Sequence, residues 1–203
     1  MNWRNLSNGC DLRSPQTLTE ADRRLVAAWA ADCAERALPF FEADCPDDAR
    51  PRALIERARV YSRGGTNTAD EIRRRFDGGV SPDTTKSPAA MAAARSAGQA
   101  AAVAHMGAHA LGAAAYAAEA FGLADPATAE VVDDEVAWQL DHMTAAVRVA
   151  LRSLPAVGQN SAGPLGPGLL STGQRGEIIA AIQAGLTDDG APAPDEEDVS
   201  PDT

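Results

Sequence analysis

Residues 98–121 read GQAAAVAHMGAHALGAAAYAAEAF and place two of the chain's three histidines, His105 and His109, four residues apart in a run of mostly alanine and glycine. Alanine is the strongest helix former, so the run predicts a helix, opening at Ser87-Pro88 and ending near Gly122. On a wheel of about 100° per residue, Gly98, Ala102, His105, His109, Gly112 and Tyr116 share one stripe. Val103, Met106, Ala110, Ala117 and Phe121 line roughly the opposite side. A helix apolar nearly all round is a buried one, so this segment is read as the central helix of a bundle, its histidine stripe facing protein or a cavity. Ser96 to Ala118 carries no formal charge and is about as long as a membrane span. Its alanine and glycine transfer too weakly into lipid for insertion, and no membrane is expected.

Working outward, alanine makes up about a fifth of the 203 residues and aromatics only 4%. Such a chain builds helices and packs them by close approach, since large side chains are few. In TLTEADRRLVAAWAADCAERALPFFEADC, Thr17 and Glu20 are spaced as a capping box. Leu18, Leu25 and Trp29 form one face of that helix, and Pro39 should end or kink it near Ala37. A second helix starts around Pro51 and a short third one follows, with Thr68 as its N-cap. DPATAEVVDDEVAWQLDHMTAAVRVALRSLP reads as one long helix with an apolar seam of Val136, Leu140, Met143, Val147, Leu151 and Leu154. The expected fold is all-α, a single compact bundle of about five to seven helices around the central Ala-rich one. Its divisions are an irregular lead over 1–16, a helical domain over 17–154, a Gly/Pro-rich loop over 155–170, a C-terminal helix over 171–186 and an acidic, disordered tail over 187–203.

The net charge of −11 is mainly a tail property: residues 187–203 hold seven of the 29 acids and no base. The body shows no basic, aromatic-interleaved surface, so nucleic acid is not expected as a ligand. Cys10, Cys33 and Cys45 are odd in number and lack C-x-x-C spacing, which suggests a reducing cytoplasm. The N-terminal residues contain no apolar run of the signal-peptide kind.

Three readings of His105 and His109 stay open. As a buried polar seam, each imidazole needs a hydrogen-bond partner, and the Tyr116 phenol is near. As a metal pair they share a helix face, but Met106 stands where H-E-x-x-H has its glutamate. Further ligands would have to be Asp32, Glu35 or His142; the expectation is no metal and no cofactor. As catalytic residues, His105 or His109 would act as general base, oriented by Asp32 or Glu35, with Arg95 holding an anionic substrate and Tyr116 beside it. Asp32 and Glu35, one turn apart, are the carboxylates best placed as partners; they read as a solvated flank with Arg36 or, alternatively, as acids turned inward to hold a histidine or arginine, and Arg95 is a natural counter-ion. His142 fits a surface or capping position and Trp138 a core or interface aromatic.

LTEADRRLVAAWAADCAERALPFFEA, RPRALIERAR, AARSAGQAAAVAHMGAHALGAAAYAAEA and AWQ, in that order, resemble the immunity-protein-five-like family of bacterial polymorphic toxin systems, over residues 17–151. The resemblance implies a helical protein that binds and neutralises a cognate protein toxin by stoichiometric blocking. It also implies a motif set: Asp32, Cys33 and Glu35 in the first helix, Arg52 in RPR, Arg95, Gly98, His105, His109 and Tyr116 in the central motif, and Trp138 and Gln139 in WQ. The region after Gln139 fits the family poorly, and the Gly/Pro loop, last helix and tail look like additions. A motif of Asp, Arg, His and Tyr converging on a helix interior exceeds what a blocking surface needs. This keeps a small helical enzyme, one of specialised metabolism, as the alternative. The oligomeric state is not legible.

Overall fold

The Ala-rich run is not one helix. In the computed structural model, which describes residues 14–74, 87–128 and 130–187, it breaks at Val103–Ala108 into α4 (Pro88–Ala102) and α5 (His109–Ala124). The break is held by chain from far away. The amides of Gly107 and Ala108 donate to the carbonyls of Thr17 (3.1 Å) and Gln16 (3.0 Å), replacing the bonds an unbroken helix would have made. A Cβ on Gly107 would lie 2.5 Å from Leu18, so glycine lets that segment cross the turn. The two helices then run side by side in opposite directions, joined by pairs such as the Ser96 hydroxyl donating to the Ala113 carbonyl at 2.7 Å. The predicted single stripe is therefore corrected to the shared face of a helical hairpin.

Gln16, fully buried in a short 3-10 turn (Pro15–Thr17), also ties in the C-terminal loop. Its amide donates to the Ala162 carbonyl at 2.6 Å and accepts from the Leu165 amide at 2.9 Å.

Helix α1 (Glu20–Asp44) packs on α2 (Arg50–Ser62), α4, α5 and α7 (Ala145–Arg152). It starts from Thr19, whose hydroxyl accepts from the Asp22 amide, and not from a Thr17/Glu20 box. It also runs straight through Pro39. That proline is exposed, so the Glu35 carbonyl that loses its donor can be hydrated, while Phe41 beside it is fully buried. Leu25 is not part of the packed face but 39% exposed. The short α3 (Thr68–Arg73) is capped by Asn67 instead of Thr68.

The predicted long helix after Pro126 is likewise two. α6 (Val131–Asp141) ends at His142, and α7 starts from the Thr144 cap. The apolar seam is buried all the same, apart from half-buried Leu140, because the break keeps Met143 and Val147 turned inward. α8 (Gly173–Gly185) packs Ile178, Ile179 and Ile182 toward α5 and α6.

The result is an all-α bundle with eight α-helices among the described residues, one more than the upper expectation. α5, touching α1, α4, α6 and α8, is its Ala-lined centre. No described helix is long and apolar enough to cross a membrane. Cys33 and Cys45 form no disulfide among the described residues, and burial raises the Cys33 pKa; Cys10 and the tail from residue 188 on lie outside the described residues.

Candidate functional site

The candidate residues gather in two places. The first is the α4–α5 hairpin. His105 lies in the turn and His109 begins α5, their rings edge to face with centroids 5.3 Å apart. His109 Nδ1 is 2.7 Å from Gln99 Oε1, and since an amide oxygen only accepts, His109 carries its proton on Nδ1. Burial, with a smaller contribution from the His105 charge, lowers its pKa to about 4, so the ring is neutral at ordinary pH. Gly112 makes the pairing possible, because a Cβ there would sit 2.5 Å from Gln99 Oε1 and 2.9 Å from Leu170. Further along, Tyr116 packs between two guanidinium groups, Arg95 at 5.9 Å and Arg175 at 5.1 Å from its ring centre. Arg175 is itself paired with Glu119 at 3.0 Å. Gly98, by contrast, faces open space.

The second place is the face shared by α1 and α6. Asp32 and Glu35 do not orient His109, the role the enzyme reading gives them; both bind Arg59 of α2, Asp32 at 3.0 Å. The hairpin turn sits at the N-terminal end of α1, and Asp32 lies about 18 Å further along that helix at ~1.5 Å per residue. Arg36, one residue beyond Glu35, pairs with Glu135 at 2.9 Å and lies 3.9 Å over the Trp138 ring. The His142 ring stacks on the same indole, 3.8 Å between centres and 25° between planes. His142 also caps α6, its Nδ1 2.9 Å from the Trp138 carbonyl, as a surface or capping histidine should.

Behind this face, Gln139 is fully buried and its side-chain amide donates to Glu135 Oε1 and the Ala114 carbonyl, both at 3.1 Å, while its backbone carbonyl accepts from Trp29 Nε1 at 2.9 Å. Glu135 is 2% exposed. Burial raises its carboxyl pKa, and hydrogen bonds from Arg36 and Gln139 pull partly the other way.

Of the predicted set, then, the fold brings His105 and His109 together and Arg95 to Tyr116, with Trp138 near Asp32 and Glu35. Arg52 stands apart, exposed and paired with Glu42 at 2.6 Å. Among the described residues no group of three or more His, Cys, Asp or Glu side chains could hold a metal ion. Sequence reading missed Gln99, Arg59, Glu135 and Arg175. Only Glu135 left a signal, since 135, 138, 139 and 142 share a face at helical spacing.

A family described as "Imm-5 like putative immunity protein" matches residues 16–146. The chain belongs to that family. The Imm-5-like match starts at the Gln16 clamp and ends just inside α7, so it contains both candidate places, while Arg175 and Leu170, which border Tyr116 and Gly112, lie beyond it. Membership in the Imm-5-like family supports an immunity role. No curated protein and no solved structure matches the chain.

Proposed function

We propose that this protein neutralises a cognate bacterial toxin in the cytoplasm by binding it one to one and blocking it. The family match over residues 16–146 carries the reading. The side-chain geometry supports binding over turnover. A general base works best with a pKa near the working pH, and His109, lowered by burial to about 4, is a weak one. Asp32 and Glu35, which would have oriented it, hold Arg59 instead, and Arg95 lies beside Tyr116. These groups are fixed in pairings that position a surface. Co-expression with the toxin encoded beside its gene should restore growth, and the purified pair should elute together at equal stoichiometry. Rescue by this protein at far below toxin level, with no complex formed, would overturn blocking and point to an enzyme.

A further inference from the structure

Two adjoining cavities, of about 240 and 260 Å³, lie between α1 and the α6–α7 junction, and Asp32 and His142 line both. One end is apolar, with Leu25, Ala28 and Val147. Leu25 leaves an aliphatic side chain open to water there, at 39% exposure. The other end is formed by Glu35, Arg36 and Trp138 beside the shared pair. The aromatic wall is preorganised: Arg36 and His142 both pack on the indole, so a partner docking there would lose little side-chain freedom from this protein.

Charge on this face is uneven. Glu135 matches Arg36, and the single Arg59 serves both Asp32 and Glu35. On the Trp138 side of helix α6 lie exposed Asp134 and Asp141 and no base, and no ion pair reaches these two among the described residues. An acid excess repels phosphate backbones and attracts basic protein surfaces.

We propose that this cleft docks a basic protein surface, with a partner arginine or lysine reaching Asp32 and Glu35 beside Trp138 and an apolar neighbour seated at Leu25. The inference rests on the toxin-blocking reading and specifies the face used and the partner's chemistry. Tryptophan, arginine and neighbouring carboxylates around a pocket are the composition that concentrates binding energy at interfaces.

The test is calorimetric titration of the toxin encoded beside the gene into the full chain and its variants. Trp138→Ala should weaken binding about 30-fold or more, and Asp32→Lys at least about 10-fold. Arg73→Ala, an exposed side chain on α3, should stay within about twofold. Wild-type affinity should fall as salt rises from about 50 to about 300 mM. Asp32→Lys changes an exposed group, so its unfolding midpoint checks that the fold is intact. Binding by both cleft variants within twofold of wild type overturns the docking face and leaves toxin blocking standing. Salt-insensitive affinity overturns the basic partner, and no complex with the wild-type chain overturns both readings.

Discussion

The α4–α5 hairpin and the α1–α6 face carry most of the polar residues that the sequence singles out, yet they are built on opposite principles. In the hairpin, a neutral imidazole is tied to an uncharged amide, and a backbone segment about ninety residues away supplies the acceptors for the turn. On the α1–α6 face, charged groups are shared among partners on three helices, with Arg59, Asp32 and Glu35 partly in water and only Glu135 buried behind them. The first arrangement removes polar groups from solvent and therefore demands that each be satisfied. The second leaves its outer pairs, Arg59 with Asp32 and Glu35, partly hydrated, so each contributes little to stability and remains open to an incoming partner. One region specifies the fold, and the other is suited to recognition.

The sharpest break of this contrast lies at Gln16. Gln16→Ala should lower unfolding free energy by about 3–4 kcal/mol, because it orphans the Leu165 amide and Ala162 carbonyl and leaves a cavity. Chemical denaturation measures this directly, and a loss under about 1 kcal/mol would mean that the Gln16 side chain does not clamp the C-terminal loop as described.

The next effect is a pH dependence. His109 has a folded pKa of about 4, against 6.5 for the free group, so the unfolded chain binds its proton first as pH falls. Its contribution is complete above about pH 6.5 and fades toward 4, a loss of about 2 kcal/mol by pH 5. Glu135 works in the opposite sense, since its raised carboxyl pKa makes the folded chain the better proton acceptor. Comparing wild type with His109→Gln at pH 7 and 5 isolates the histidine. An equal fall in both would place the acid sensitivity elsewhere.

The smallest effect belongs to the face. Arg59→Ala should change stability by no more than about 0.5 kcal/mol, since Asp32 and Glu35 are about half exposed and gain water when it leaves. A loss several times larger, read from the same denaturation curves, would make this face structural and weaken the contrast.

The all-helical class was legible because alanine propensity and helical spacing agree over most of the chain, and the buried character of residues 98–121 followed from their lack of charge. The candidate site was legible in membership more than in arrangement. Tyr116, His109 and Arg95 do share a polar face, and Trp138 and Gln139 do adjoin each other as face and core. What failed was the assignment of partners. Asp32 and Glu35 read as a solvated flank with Arg36 or as acids holding a histidine or arginine, whereas the partner that reaches them is Arg59, on the predicted second helix where only Arg52 is singled out.

What the sequence determined by itself is therefore the helical state, the apolar surface of the Ala-rich run and the presence in it of polar residues that cannot be left unsatisfied. These are local properties, set by propensity and by periodicity within a few turns. Only the tertiary structure decided that the run folds back on itself at Val103–Ala108, and that His109 meets Gln99. Alanine favours a helix equally at every position, so nothing local marks where it ends. The end is set where distant carbonyls, those of Gln16 and Thr17, capture the amides of the turn.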